Sequence, residues 1–259
     1  MRIGLLSDIH LSRKTNRLAC ALNALTGISC LLIAGDLADR TDPEQYELLH
    51  ACLRQQLGDT PVYCVSGNHD NPARDDAAYR QFEQRINPTL LPDECGAFHQ
   101  QLSPGVELTG LNPTYHQKQF FFPERGRQLD FLQQTLAAST ARTHIILCHP
   151  PLLLHNPQRD SSMKPYIAKE QNDRLQQLVD DHSGILFLSG HTHFAPTVEW
   201  DETRRNLYIN NGSIYPTTAE DGSLRQGNAT LLEIGESTIT LHIQGIHTGK
   251  VFFQQTYPR

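Results

Sequence analysis

The stretch Cys30-Leu31-Leu32-Ile33-Ala34-Gly35-Asp36-Leu37-Ala38-Asp39-Arg40-Thr41-Asp42-Pro43 decides the fold. Its first five residues form a short apolar run, the pattern of a strand buried on both faces. Gly35-Asp36 closes that strand. Asp42 can cap a following helix, Pro43 suits the first helical position and Gln45 completes a capping box. Tyr46, Leu49, Cys52 and Leu53 then supply the apolar stripe.

This unit of strand, polar loop and helix recurs along the chain. Arg2 to Ser7 reads as a strand ending at Asp8, followed by helical spacing from Thr15 to Leu25. Pro61 to Val65 is a strand ending in Ser66-Gly67-Asn68, with a helix expected from Pro72 to Arg85. His144 to Cys148 runs into His149-Pro150-Pro151, between helices expected at Pro123 to Ala137 and Ala168 to Asp180. Ile185 to Ser189 stops at Gly190-His191. Beyond it the chain is β-rich: Thr197 to Trp200, Leu207 to Asn210, Ala229 to Ile234 and Thr238 to Ile246. No repeat or linker divides it, so the expectation is one α/β domain over 1–259, with two packed sheets flanked by helices.

Composition narrows the partners. The chain has 259 residues, 38% hydrophobic and 19% charged, as soluble globular proteins do. No apolar run approaches the ~20 residues of a membrane span. The start meets Asp8 too soon for a signal segment, so a cytoplasmic protein without a membrane partner is expected. Net charge is −6, and no basic stripe offers a nucleic-acid footprint. Six cysteines are scattered without a Cys-x-x-Cys pair, which favours reduced thiols. Histidine is the outlier, with 13 residues, several beside Asp, Asn or Gly.

Five strands end in residues that bind metals. They are Asp8-Ile9-His10, Gly35-Asp36, Gly67-Asn68-His69-Asp70, His149 and Gly190-His191-Thr192-His193. Ligands of open α/β sheets bind beyond the carboxyl ends of the strands, so these segments can converge on one crevice. Asp8, Asp36, Asn68, His10, His149, His191 and His193 offer two carboxylates, one amide oxygen and four imidazoles. Borderline divalent ions accept that mixture. Residues i and i+2 of extended backbone project to one side, which suits Asp8-x-His10 and His191-x-His193. Glycine at 35, 67 and 190 permits sharp turns.

In this order the motifs resemble those of the calcineurin-like metallophosphoesterase superfamily, and within it the class III cyclic-nucleotide-phosphodiesterase-like branch. The resemblance runs from Asp8 to His193. It implies a four-layer αββα sandwich, two mixed β-sheets flanked by helices, with a dinuclear site. Asp8, His10, Asp36 and His193 would hold the first divalent ion. Asn68, His149 and His191 would hold the second, with Asp36 bridging. Mn, Fe and Zn all suit such ligands. The implied chemistry is hydrolysis of a small-molecule phosphoester, a cyclic-nucleotide-like diester foremost, by a metal-bridging hydroxide. His69 would give a proton to the leaving group, and Asp39 resembles the carboxylate that orients it. The planar fork of Arg40 matches paired phosphoryl oxygens.

Other readings stay open. A phosphomonoesterase or nucleotidase on the same scaffold would use the same centre, and an inactive protein-binding scaffold would be expected to lose ligands. The lipid-A-precursor pyrophosphatase branch carries Arg where His69 stands, and a nuclease fits poorly with the negative charge. Gly110 to Arg125, within which the 112–125 loop lies, departs from the segment expected of the branch and leaves substrate choice open. Phe120, Phe121, Phe122 and Tyr115 are either core or an aromatic wall over an apolar leaving group. His155 to Tyr166, with Pro157, Arg159 and Lys164, is the candidate lid. Asp70 reads as a helix cap, Cys148 as a buried thiol, Asn210-Asn211-Gly212 as a turn, and His144, His242 and His247 as structural or exposed.

Overall fold

The apolar runs become strands β1 (Arg2–Leu6), β2 (Cys30–Ala34) and β3 (Val62–Val65), separated by helices α1 (Asn16–Asn23) and α2 (Pro43–Leu57) and followed by α3 (Ala77–Ile86). A computed structural model describes residues 1–72, 75–86, 95–158, 163–218, 224–225 and 227–259. The chain continues through β4 (Phe98–Ser103), β5 (Val106–Leu111), β6 (Thr114–His116), β7 (Gln119–Phe121), α4 (Pro123–Ala138) and β8 (Thr143–Cys148). A 3-10 turn at Leu153–His155 leads to α5 (Lys169–Asp180), β9 (Ile185–Ser189), β10 (Thr197–Asp201) and β11 (Asn206–Asn210). The last strands are β12 (Thr217–Thr218), β13 (Leu224–Arg225), β14 (Asn228–Ile234), β15 (Thr238–Gly245) and β16 (Val251–Pro258).

Two six-stranded mixed sheets result, in the orders β16-β15-β14-β1-β2-β3 and β10-β11-β9-β8-β5-β4. In the first, β1, β2 and β3 run parallel and β14 to β16 are antiparallel additions. In the second, β5, β8, β9 and β11 are parallel, with antiparallel β4 and β10 at the edges.

Alternation along each strand makes four layers. Cys30, Leu32 and Ala34 point between the sheets, where they meet Leu147, Leu186 and Leu188. Leu31 and Ile33 point outward, under Leu18 of α1, Leu49 of α2 and Phe82 of α3. On the far side Ile146 and Phe187 lie under Leu132 of α4 and Val179 of α5. Burial of one such side chain stabilises the fold by about 1.5–3 kcal/mol, which is why these strands carry almost no polar residue. Parallel strands of both sheets therefore deliver their carboxyl ends to one rim.

The sequence reading needs correction in three places. The helix expected from Pro72 begins at Ala77, with residues 73–74 outside the described set. Asp42 caps α2 by accepting from Glu44 N, but Gln45 accepts from Arg40 N, so no capping box closes on Asp42. Strands β4, β5 and β16 were not expected, because their polar residues break the apolar pattern. Gly110 in β5 faces Phe98 of β4, whose ring would lie 2.2 Å from a Cβ there. All six cysteines are free, Cys148 is fully buried, and no described helix is long and apolar enough to cross a membrane.

Candidate metal centre

Five of the seven expected ligands sit in left-handed backbone. Asp8, His10, Asp36, His191 and His193 have φ of 51°, 41°, 51°, 72° and 53°. Non-glycine residues adopt that region at a cost, and such strain collects at functional sites. Among the described residues three other non-glycine residues are left-handed, Gln117, Lys118 and Arg205, all in the turns of hairpins. The loops that hold the five are pinned by their neighbours: Asp8 N donates to Gly35 O, His10 N to Asp36 O and Gly190 N to His149 O.

The preceding glycines matter for space more than for turning. Only Gly35, at φ 83°, is left-handed. A Cβ on Gly67 would lie 2.1 Å from Asp36 Oδ1, and one on Gly190 would lie 2.4 Å from Asp8 Oδ2. Each glycine thus clears room for a carboxylate from another strand end.

The side chains form two groups that share Asp36. Ligand atoms of Asp8, His10, Asp36 and His193 lie within 4.8 Å of one another, as do those of Asp36, His149 and His191. Asp36 Oδ1 accepts from His69 N at 2.8 Å. Its Oδ2 stands 3.5 Å from His10 Nε2 and 3.4 Å from His149 Nε2. His10 Nε2 is 2.9 Å from His193 Nε2, which is 3.0 Å from Asp8 Oδ1. Asn68 Oδ1 is 3.3 Å from His149 Nε2 and joins the second group.

A cation fits these atoms. Asp8 and Asp36 are fully buried, and among the described residues neither pairs with Lys or Arg. Buried carboxylates need compensation, and nitrogen and oxygen atoms about 3–3.5 Å apart span an edge of a coordination shell with ~2.1 Å bonds.

Electrostatics separates the imidazoles. Burial would raise the Asp36 carboxyl, but His149 and His10 hold it below the usual carboxylate range. Burial opposes charge on His149, yet Asp36 outweighs it and raises the imidazole to about 9. Burial, helped by His149, pushes His191 down to about 3, and burial lowers His10. The hydrogen bond to Asp8 raises His193.

His69 stands at the mouth, its ring 4.5 Å from that of His10. Its Nδ1 meets the backbone carbonyl of Asp39 at 2.7 Å. The Asp39 carboxylate instead faces His10 Nδ1, at 4.0 Å. The residue expected to orient His69 therefore meets it through its main chain, with Asp39 N tied to Leu11 O and the carbonyl turned toward the ring. Arg40 is exposed, and among the described residues its guanidinium makes no ion pair.

Asp70 is not a helix cap. It is fully buried and accepts from Gly67 N, Leu37 N, Ala38 N and the Tyr46 hydroxyl. Burial and the nearby Asp36 push its carboxyl up, and these donors oppose them. It clamps the Asp36 turn to the Asn68 turn. Tyr46 in the α2 stripe gave no signal of this, since its ring is also core.

Asn210-Asn211-Gly212 is more than a turn. Asn210 Nδ2 donates to Gly190 O, and its Oδ1 accepts from Thr192, so it supports the His191–His193 loop.

The aromatic segment divides. Phe120 and Phe122 are buried, whereas Phe121 is 38% exposed. Phe120 is core and also touches the site, 5.1 Å from the His191 ring and 5.8 Å from that of His149. Tyr166, not singled out in the sequence, stands edge-on to His191 at 4.3 Å. In the expected lid, His155 stacks on Tyr208 and pairs with Glu199, Lys164 is exposed, and Arg159 lies outside the described residues. His144 and Cys148 are buried strand residues.

Comparison with known proteins agrees with this arrangement. A family model described as calcineurin-like phosphoesterase matches residues 1–195. A Synechococcus protein named probable cyclic nucleotide phosphodiesterase is 29% identical over 170 residues, 64% of this chain and 58% of its own. An Arcobacter nitrofigilis protein named probable glycerophosphodiester phosphodiesterase is 24% identical over 176 residues, 66% of this chain and 59% of its own. The matched regions thus span less than two thirds of these curated relatives. In fold, the chain is similar throughout to a purple acid phosphatase from yellow lupin, with TM-score 0.70, 13% identity and 54% of that chain covered. It is also similar to GAP50 of Plasmodium, the anchor in the inner membrane complex, with TM-score 0.62, 13% identity and 88% of that chain covered.

Proposed function

Since the chain belongs to the calcineurin-like phosphoesterase family, we propose that it hydrolyses a small phosphodiester with two divalent ions held in the strand-end crevice. One observation carries the two-ion reading: a single Asp36 oxygen lies 3.5 Å from His10 Nε2 and 3.4 Å from His149 Nε2. Asp8, His10 and His193 would complete one set, and Asn68, His149 and His191 the other. Mn, Fe and Zn all suit these donors. The ions would supply Lewis acidity and lower the pKa of water.

The chain's own residues do the remaining work. A carbonyl only accepts hydrogen bonds, so the Asp39 main chain keeps the proton of His69 on Nδ1. Nε2 is then the atom that exchanges a proton, and His69 protonates the departing alkoxide from it. Asp70 holds the Asp36 and Asn68 turns in register during the reaction. Arg40, exposed beside Asp39, would meet the phosphoryl oxygens with its planar fork. Both curated relatives carry phosphodiesterase names, which favours a diester substrate.

The test is kcat/KM for an activated phosphodiester and its matching monoester after Mn²⁺ loading, with Asn68→Ala as control. Preference for the diester, lost in the control, is the expected result. Preference for the monoester overturns the diester assignment. Inactivity on both with metal bound overturns the reading itself.

A further inference from the structure

Beside the crevice stands a small sheet that the proposed chemistry does not use. The hairpin β6–β7 turns through Gln117 and Lys118, at φ 48° and 65°, as a two-residue turn requires. On one side Tyr115 N donates to Asn71 O, immediately after the Asn68–Asp70 loop. On the other, Phe120 N donates to Tyr166 O and Ala168 N to Phe120 O. The hairpin is therefore slung between two segments that adjoin expected ligands.

Its aromatic residues are arranged in depth. Phe120 is fully buried against His149 and His191. Tyr115 packs on Phe120 at 4.9 Å, and Tyr166 stands against His191 at 4.3 Å. Both tyrosines are only half-buried, so parts of their rings remain open to a ligand. Through Phe120 and His191 the two tyrosines belong to one chain of ring contacts.

The polar groups of this space are the two phenols and the amides beside Tyr166. Among the described residues the Tyr115 hydroxyl has no hydrogen-bond partner. The Asn156 side chain, buried at 4% exposure, lies against the Tyr166 hydroxyl and its amide hydrogen-bonds the phenol. Tyr166 itself donates to Gln158 Oε1 at 2.9 Å. Ring surface beside a phenol free to bond suits a planar ring better than an alkyl chain.

We propose that Tyr115 and Tyr166, with Asn156 behind them, form the subsite for the organic group of the ester and select a planar aromatic group over an alkyl one. The selection is a positioning role and needs no covalent step. It rests on the phosphoesterase reading for the location of the phosphoryl group, but not on turnover.

The test is calorimetric titration of the Mn²⁺-loaded protein with inorganic phosphate, methyl phosphate and phenyl phosphate. Phenyl phosphate should bind about tenfold more tightly than methyl phosphate, the size of one aromatic stack. Tyr115→Leu and Tyr166→Leu should each reduce that ratio toward one. Tyr115→Phe, which keeps the ring, should preserve most of it and guards against misfolding of the leucine variants. A wild-type ratio near one, or a ratio that survives both leucine variants, overturns the subsite. Failure of diester turnover instead overturns the reading above, and the binding ratio is read independently of it.

Discussion

The floor of the crevice and its wall are built differently. The floor hangs on five strand ends, four of them fixed by ladders on both sides and edge strand β3 by one, and its carboxylates occupy space that Gly67 and Gly190 leave open. The wall hangs on a three-residue hairpin pair and a few hydrogen bonds to residues 71 and 166–168. A floor so over-determined can hold charged, strained residues in place. A wall so lightly attached can change its side chains without disturbing the ladders below. Under the proposed function and subsite, chemistry and selectivity fall to parts that are attached differently.

The largest expected effect tests the floor. Asp36→Asn removes the shared carboxylate, and kcat/KM should fall at least about a thousandfold, from a loss of about 4 kcal/mol in transition-state stabilisation. Metal stoichiometry should fall with it; a variant that keeps full metal content and activity would break the two-group picture. Next, His69→Asn should lower kcat by roughly a hundredfold or more while metal content stays unchanged. If metal is lost as well, His69 belongs to the floor as a ligand and not above it as a proton donor.

Two smaller changes probe the same floor without touching a ligand. Gly67→Ala drives a Cβ into the Asp36 carboxylate, which must move. Asp70→Asn puts an amide among the backbone donors of Leu37, Ala38 and Gly67. Both should weaken metal affinity by about 10–100-fold, the usual effect of groups that orient ligands. Metal titration that shows either variant at wild-type affinity would mean the turns are held by the ladders alone.

Legibility follows the same division. Cys30–Ala34 and Ile185–Ser189 could be read because burial on both faces leaves an unbroken apolar run. The clustering of the candidate ligands could be read because few other roles call for so many imidazoles and carboxylates at strand ends. Asp70 could not, because its partners are main-chain N–H groups of Leu37 and Ala38, thirty-odd positions away and silent in sequence. Nor could the role of the Asp39 carbonyl, which every residue type possesses. Tyr166 was missed because its contact with His191 depends on where a loop crosses β7, and the half-polar β5 and β6 hid that ladder.

The smallest expected effect concerns the joint between floor and wall. Asn112, just before β6, accepts from Ser66 N at the end of β3 and from the Tyr79 hydroxyl. Tyr79 has one proton but faces three oxygen acceptors, Cys64 O, Glu83 Oε1 and Asn112 Oδ1, and the Cys64 sulfur. The set is better satisfied when Glu83 brings a proton of its own, and burial indeed raises Glu83 to about 7. Between about pH 4.5 and 7 the folded chain keeps that proton while the unfolded chain has lost it. Stability contributed by this group therefore falls as pH rises through that window, by at most roughly 3 kcal/mol, and is level above it. Glu83→Gln keeps a donor and an acceptor but has no proton to lose. Its melting temperature should match the wild type near pH 4.5 and exceed it by several degrees at pH 8. Parallel melting curves across that range would show that Glu83 is ionised in the fold, and that the joint is held by Asn112 alone.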